Sequence, residues 1–567
     1  MSTSALSAGC INATLGSDAV TLCVAGDRLE IGHGGPHRVS VPAALVLSAE
    51  VLDDALSVQI QVKFLAHRPS KSFFSALRTC LGLSRKPGGH VVTEKEWYNR
   101  HERDLSRLSK MEVCAAVPED SRGAAHEWVK VLLAAAFPVP VRRRILVICN
   151  PVGGQGKGRA VLRESVLPIL EAAACDVTTV ATESRDHAFR TLYELDTRQH
   201  DAVMCIGGDG TMHEVINGLA ARTDAQDALQ LPVVPVPSGS GNGLYVSLHG
   251  TEAGFSVPLA CLAALKGVPY DQELCTVTQP LSLFGDVETT PSFVVGVGAN
   301  GEKYVQYYSF MSLSIGLVAN VDIGTEAFRF MGEARFSLGY LFGAFMNRQC
   351  DVCVDIVFGR QGTTDHDAMR DRAAAPDVPV DERSRMDDFR TLRLGSVTDP
   401  LPEKPVPYPI LRGQPLAAPT PDQMWHRIDC AMSSLYAGKV PYVARGFMAF
   451  PYVHPSDGTV DLLIQRQDST AAEKIVSMVH GESGSHIRDA SIEYAKVEGF
   501  RVTPHAHVRQ RTQYLSIDGE SKPYGPVQLE VSPLRIRMLT LSDDQWRAPT
   551  IRPPNNANDP TPRGDTT

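Results

Sequence analysis

Ile206-Gly207-Gly208-Asp209-Gly210-Thr211 follows an apolar run, Ala202–Ile206, and precedes a helix-forming one, Met212–Ala220. That order reads as strand, glycine turn, helix, with a carboxylate at the turn. Glycines at a strand end let the backbone approach a ligand closely, and the amino end of the following helix attracts anions. An aspartate held beside a phosphate is placed to take the proton of an attacking hydroxyl. The same residue can also simply cap the helix or stabilise the turn.

Two more glycine loops share this setting. Asn150-Pro151-Val152-Gly153-Gly154-Gln155-Gly156-Lys157-Gly158 follows the apolar Ile145–Cys149, and Pro237-Ser238-Gly239-Ser240-Gly241-Asn242-Gly243 follows Val233–Val236. All three loops lie at the carboxyl ends of expected strands, where open α/β sheets bind ligands. The first is not a Walker A loop, because Pro151 stands where the first glycine belongs and Gly158 where the hydroxyl belongs. Strands expected at Arg144–Cys149, Asp176–Thr182, Ala202–Ile206 and Val233–Val236, with helices between them, define a Rossmann-like α/β nucleotide domain over 141–275 with a mostly parallel sheet.

From Cys275 the pattern turns β-rich, at Thr276–Leu283, Ser292–Val297, Asp351–Phe358, Thr459–Gln465, Tyr514–Ile517 and Val527–Val531. This predicts a mainly antiparallel β domain over 276–542, interrupted by a helical run, Glu326–Met346. Residues 359–420, rich in Asp, Arg, Ala and Pro, read as a disordered insertion, and 543–567 as a disordered tail. Residues 1–140 carry short β-like runs at Ala19–Val24, Val39–Leu47 and Val58–Phe64, closed by a helical run, Ala124–Phe137, containing Trp128. That outline is similar to a pleckstrin-homology (PH) domain. Within it, Lys71–Lys86 alternates Phe and Leu with cations and includes Cys80, a composition suited to a lipidated interfacial segment or to a basic loop.

The 567 residues are 43% hydrophobic and 21% charged, with a net charge of −9, which argues against a nucleic-acid partner. The 12 cysteines form no regular framework, and Cys149 and Cys205, ending expected buried strands, suggest reduced intracellular thiols. Cys350-Asp-Val-Cys353 fits strand alternation better than zinc. The stretch Met1-Ser-Thr-Ser lacks the charged start and long apolar core expected of a signal peptide. The longest apolar runs, Phe310–Ala319 and Leu338–Met346, fall short of the roughly 18 residues of a span, and read as core or as walls of a lipid pocket. The expectation is a cytoplasmic protein that visits membrane surfaces. Two lesser motifs are Ser456-Asp457-Gly458-Thr459-Val460-Asp461, read as a structural hairpin turn, and Gly296-Val-Gly298-Ala-Asn-Gly301, which mimics a dinucleotide fingerprint without a βαβ unit around it.

The segments Asn150–Lys157, Thr182–Ala188, Gly207–Leu219, Pro237–Leu244, Val321–Phe336 and Asp518–Glu520, in this order, resemble the sphingosine (long-chain-base) kinases of the diacylglycerol-kinase-like lipid kinase superfamily. The resemblance is dense over 141–345 and sparse over 430–540. It implies that Asp209 is the general base and that Gly207, Gly208 and Gly210 shape the substrate turn with it. It implies ATP contacts from Asn150, Pro151, Val152, Gly153, Gly154, Gly156, Thr182, Asp186, Glu214, Gly239, Ser240 and Gly241. Arg329 and Arg335 would bind its phosphates, and Asp518, Gly519 and Glu520 would return to it as a late loop. Mg2+ would enter with the nucleotide.

Asp322 would bind the protonated amine of a sphingoid base such as sphingosine, dihydrosphingosine or phytosphingosine. A carboxylate at the mouth of an apolar pocket is costly without a cation. Ceramide offers an uncharged amide there, and diacylglycerol offers no nitrogen. A ceramide or diacylglycerol kinase, or a lipid-binding scaffold without catalysis, is the alternative. Asp322 can also be read as the cap of a helix starting near Glu326.

Overall fold

The computed structural model describes residues 10–15, 18–26, 28–32, 38–53, 57–67, 108–137, 142–153, 156–239, 241–251, 255–285, 294–297, 303–325, 328, 334–346, 350–358, 425–489, 491–505 and 513–541. Gly154, Ser240, Arg329, the Lys71–Lys86 segment, the 359–420 insertion and the tail lie outside the described residues.

The first seven strands form their own antiparallel sheet: β1 (Cys10–Leu15), β2 (Asp18–Ala25), β3 (Arg28–Gly32), β4 (Arg38–Pro42), β5 (Val46–Asp53), β6 (Val58–His67) and β7 (Leu108–Val117), in the order β4-β3-β2-β1-β7-β6-β5. Helix α1 (Arg122–Ala136) closes it. Ala125, Trp128, Val129, Leu132 and Ala136 recur at helical spacing, and that one face is buried against the sheet. The expected single run Val39–Leu47 is split, because proline cannot donate to a ladder: β4 ends at Pro42 and a short 3-10 turn precedes β5. Cys10 lies opposite Cys23 in the β1–β2 register and is disulfide-bonded to it, which corrects the expectation of unpaired thiols for this pair. Cys149 and Cys205 are buried free thiols.

The second sheet begins with β8 (Arg144–Cys149), β9 (Asp176–Ala181), β10 (Ala202–Gly207) and β11 (Val233–Pro237), parallel and ordered β9-β8-β10-β11. Helices α2 (Gly158–Val161, continuing through Leu162–Val166 to Leu167–Ala172), α3 (His187–Glu194), α4 (Asp209–Ala220), α5 (Ala225–Ala228), α6 (Gly243–His249) and α7 (Val257–Lys266) connect and flank these strands. Apolar clusters cover both faces, so β10 and β11 are buried along their whole length and read as unbroken apolar runs.

The remaining strands are β12 (Val268–Pro280), β13 (Val294–Val297), β14 (Lys303–Ser309), β15 (Ser312–Gly316), β16 (Cys350–Phe358), β17 (Trp425–Gly438), β18 (Tyr442–Ala444), β19 (Phe447–Met448), β20 (Val460–Arg466), β21 (Ile492–Pro504), β22 (Leu515–Ile517), β23 (Glu520–Lys522) and β24 (Val527–Thr540). Helices α8 (Leu317–Asp322), α9 (Ala334–Met346) and α10 (Ala471–His480) lie between them. Their pairings with one another are antiparallel, as expected. The expected boundary at 275/276 falls inside β12, however. β12 pairs with β24 from Val268↔Thr540 to Thr278↔Gln528, and β24 pairs in parallel with β11 at Val233↔Met538. The α/β and β regions therefore share one 15-stranded sheet.

Three motifs resolve against this topology. Gly296 sits in β13, which pairs directly with β14 in antiparallel fashion, so no crossover helix follows it. Cys350 and Cys353, three residues apart on β16, face opposite sides of the sheet. The Asp457-Gly458 turn does not close a hairpin: it joins β19 to β20, which belong to different sheets. Asp457 instead enters a buried charge network. Lys439 Nζ lies 3.0 Å from Glu273 Oε2 and 3.3 Å from Asp457 Oδ1, and Lys496 Nζ lies 2.8 Å from Asp457 Oδ2 and 2.7 Å from Asp461 Oδ1. Burial pushes the Asp457 carboxyl up, but Lys496 and Lys439 outweigh it and hold the group down to about 2.

Candidate active site

Three loops and one hairpin meet around a cavity of about 390 Å³. The first two loops are tied together by Asn150. Its Nδ2 donates to Thr211 Oγ1 at 3.1 Å, its Oδ1 accepts from Val152 N at 3.2 Å, and its own backbone N–H donates to Ile206 O at 2.8 Å. The second and third loops touch through their backbones: a Cβ on Gly239 would stand 2.7 Å from Gly208 Cα. A Cβ on Gly210 would stand 2.1 Å from Glu520 Oε1, so any larger residue would have to displace the Glu520 carboxylate. Asn242 holds the third loop in shape: it adopts left-handed backbone (φ 48°), accepts from Gly239 N at 3.0 Å and donates to Gly239 O at 2.8 Å. Gly153, Gly208, Gly210, Gly239 and Gly241 line the cavity, forming a cradle that side chains would fill.

Asp209 is the first residue of α4, half-buried on the cavity wall. Its Oδ2 accepts from Gly243 N at 3.0 Å and its Oδ1 from Leu244 N at 3.2 Å, at the start of α6. Burial pushes its carboxyl up to about 6; the two amides oppose that shift, and the nearby carboxylates of Asp518 and Asp322 add to it. A carboxylate so poised is ionised at neutral pH yet basic enough to accept a hydroxyl proton.

Asp322 is the last residue of α8, and the next described helix, α9, begins at Ala334. Ser516 Oγ donates to Asp322 Oδ2 at 2.6 Å. Arg335 is buried, and its Nη1 donates to Asp322 O and Thr325 Oγ1, both at 3.0 Å. The guanidinium borders the cavity while bracing the turn that carries Asp322. Tyr436 lies beside both acids; burial, with Asp322 and Asp209 adding to it, pushes its hydroxyl far up, so the group stays protonated.

Asp518 is enclosed by protein groups. Its side chain has no exposure. It accepts from Ser309 Oγ (2.7 Å), Phe310 N (3.2 Å), Met311 N (2.9 Å) and Ser312 N (2.9 Å), and sits 2.8 Å from His213 Nδ1. Its lone pairs are taken up by protein donors, and the late loop Asp518–Glu520 lines the cavity. Asp518 and Gly519, at φ 51° and 80°, form the two-residue turn between β22 and β23, and this turn delivers Glu520 to the cleft. Glu520 Oε2 pairs with Arg185 Nη2 at 2.8 Å.

Thr182 and Asp186 lie on the loop after β9, where Thr182 N donates to Cys149 O at 2.8 Å. Glu214 Oε2 accepts from Ala188 N at 3.2 Å, so Glu214 ties α4 to the start of α3, and burial raises its carboxyl. Pro151 is half-buried, and Val152 and Lys157 are exposed. Ser516, Tyr436, His213 and Arg185 are site residues that sequence reasoning missed. Ser516 and Tyr436 are strand residues with no local signal, brought in by pairing of β15 with β17 and β22. Asn242 was legible as a turn residue in the third loop.

Beyond the acids the cavity turns apolar, with Val318, Val321, Phe336, Phe447, Met478 and Val479 on its walls. Among the described residues no group of three or more metal-ligating side chains occurs, and no helix is long and apolar enough to cross a membrane.

A glycine cradle, a poised carboxylate and an apolar recess meet in one cleft, an arrangement suited to phosphate transfer to an amphiphile. Residues 144–276 match the diacylglycerol kinase catalytic domain family. Sphingoid long chain base kinase 4 of Schizosaccharomyces pombe is 29% identical over 410 residues, covering 72% of this chain and 77% of that protein. Sphingoid long chain base kinase 5 of Saccharomyces cerevisiae is 27% identical over 441 residues, and the alignment spans 70% of this chain and 59% of that protein. Human sphingosine kinase 1 is 36% identical over 200 residues, 35% of this chain and 47% of its own length. The chain is thus similar to sphingoid-base and sphingosine kinases over about 70% of its length, and carries a diacylglycerol kinase catalytic domain match at 144–276.

Proposed function

We propose that this protein transfers the terminal phosphate of ATP to the primary hydroxyl of a sphingoid base, giving a sphingoid-base 1-phosphate. The observation that carries this reading is that Asp209 and Asp322 line one cavity together with an apolar stretch, Val318, Val321, Phe336, Phe447, Met478 and Val479. Asp322, braced by Ser516 and Arg335, attracts the protonated amine; this brings the adjacent hydroxyl to Asp209, which accepts its proton. Backbone amides of the glycine turns and the amino end of α4 hold the phosphates. Asp209, Asp322, Glu482 and Glu520 line the same cleft against one cation, Arg335, among the described lining residues. A polyphosphate therefore needs an accompanying cation. Mg2+ carried on ATP meets that need and neutralises the transferring charge.

The test is phosphate transfer to sphingosine, dihydrosphingosine, phytosphingosine, ceramide and diacylglycerol side by side. Label on the free bases is expected; label mainly on ceramide or diacylglycerol would overturn the substrate reading. Asp322→Asn removes the charge but keeps the shape. A hydrogen bond to a charged group contributes about 1.5–3 kcal/mol, so kcat/KM for free bases should fall roughly 10- to 100-fold.

The division into an N-terminal module of 1–140, a nucleotide unit of 141–275 and a β unit of 276–542 joined to it through β12 and β24 belongs to the same reading. Seven antiparallel strands closed by one helix support a PH-like module, and the β9-β8-β10-β11 order supports a Rossmann-like unit. Membrane contact is assigned to α9 and α10. Phe342, Phe345, Leu338 and Met346 of α9 are more than half exposed, as is Val479 of α10, which also borders the cavity. An apolar surface continuous with a lipid recess fits a bilayer. Burying a phenylalanine is worth about 1.5–3 kcal/mol. The double substitution Phe342→Ser/Phe345→Ser should thus weaken binding to phosphatidylcholine vesicles at least tenfold, and unchanged flotation with vesicles would remove these helices from the contact.

A further inference from the structure

Asp209 is oriented from outside its own helix. Both of its carboxylate oxygens are held by the first amides of α6, Gly243 N at 3.0 Å on Oδ2 and Leu244 N at 3.2 Å on Oδ1. The first amides of a helix have no partner within it, so they are available to hold a carboxylate. Two bonds to one stretch of backbone fix both the position and the rotation of the carboxyl group. Where the start of α6 lies therefore decides where Asp209 points.

The β18–β19 hairpin fixes the start of α6. A Cβ on Gly243 would stand 2.8 Å from Val443 O and 2.9 Å from both Tyr442 O and Met311 Sδ, so the first turn of α6 lies directly against β18. Asn242, the residue before it, pairs with Ala444 as a single antiparallel bridge. Ser247 closes the contact one turn further on, on the same face of α6 as Gly243. Its Oγ donates to Tyr442 O at 3.0 Å and accepts from Tyr442 N at 3.1 Å, so one hydroxyl engages both backbone groups of one residue. Ser247 is only 4% exposed. A serine inside a helix often turns its hydroxyl back on its own helix, and alanine is the better helix former. Here the hydroxyl reaches across to another element instead. The same hairpin walls the apolar recess, since Val443, Ala444, Gly446 and Phe447 line the cavity that Asp209 also lines. One clasp thus sets the carboxylate and the recess wall relative to each other.

We infer that Ser247 is a positioning residue for phosphate transfer: by clasping Tyr442 it holds α6, and through α6 the Asp209 carboxylate, in register with the wall of the lipid recess. This rests on the reading of Asp209 as the base. Ser247 does not line the cavity and acts only through α6.

The experiment measures kcat, the KM for ATP and the pH profile with sphingosine for the wild type, Ser247→Ala, Asp209→Asn and the double variant. A misplacement of about 1 Å can cost about 10²-fold, so Ser247→Ala is expected to lower kcat roughly 10- to 100-fold with the KM for ATP little changed. The two α6 amides hold the Asp209 carboxyl down against burial; Asp518 and Asp322 are the charged groups acting on it, and Tyr436 and Cys205 beside it stay protonated. Loosening the amides leaves burial and those acids in place, so the midpoint of the rise in activity should move above about 6. In the Asp209→Asn background Ser247→Ala should lower kcat far less, because the group it positions is already gone. Ser247→Cys, close in shape but a weak donor and acceptor, should fall between serine and alanine, and it carries the test if the alanine variant does not fold. An unmoved kcat and pH midpoint in folded Ser247→Ala, or an equal loss with and without the Asp209 carboxylate, would overturn the inference while leaving Asp209 as the base. Full turnover by Asp209→Asn would instead sink that reading, and this inference with it.

Discussion

Asp209→Asn is expected to lower kcat by about 10²- to 10⁴-fold, the usual contribution of a positioned general base, with the fold retained. Asparagine matches the carboxylate in size, but its neutral carbonyl cannot take the proton of the substrate hydroxyl. The wild-type pH profile supplies the second half of the result. Asp209 acts in its ionised form, and its carboxyl is pushed up to about 6, chiefly by burial. Activity should therefore rise with pH through about 6 and level off above it, about two units higher than an unshifted carboxylate would show. Full turnover by Asp209→Asn, or a flat profile from pH 5 to 7.5, would remove Asp209 from proton transfer and leave it as a tether for the start of α6.

Asp518→Ala is expected to damage the fold rather than nucleotide affinity. The substitution strands Ser309 Oγ, three backbone amides and His213 around an emptied site. Removing one partner from a buried, charge-bearing network costs about 3–5 kcal/mol. The left-handed backbone at Asp518 adds to this, since alanine adopts it less readily than aspartate or glycine. A urea titration followed by tryptophan fluorescence should show a markedly lower midpoint, with the KM for ATP little changed in whatever protein remains folded. The opposite pattern, an unaltered midpoint with a raised KM, would restore the carboxylate to the nucleotide and contradict the hydrogen bonds it makes.

Asp518 also shows where reading by motif stops. The Asp-Gly-Glu triplet was visible as a loop returning to the cleft, and the hairpin does return, through Gly519 and Glu520. Whether the aspartate faces the ligand or the protein depends on five donors from α4 and the β14–β15 turn, none of them a neighbour in sequence. Arg335 is similar. Its presence near Asp322 was legible, but its engagement with the Asp322 carbonyl depends on how α8 and α9 meet.

What the sequence by itself determined is local. Apolar runs ending in glycine loops marked β8, β10 and β11 to within a residue, because buried parallel strands are apolar on both faces and glycine alone permits the close turns that follow. The same logic placed Asp209 in the turn ahead of a helix from Met212, whereas α4 already begins at Asp209. Tertiary structure decided the rest, because it concerns groups far apart in the chain. β24 returns across some 300 residues to lie between β12 and β11, fusing two expected domains into one sheet. That pairing brings β22 and β23 to the glycine turns and sets Ser516 on Asp322. Backbone hydrogen-bonding groups are the same at every residue except proline, so the ladder that chooses these partners leaves little signature in composition or spacing. Only the burial of the completed sheet selects them.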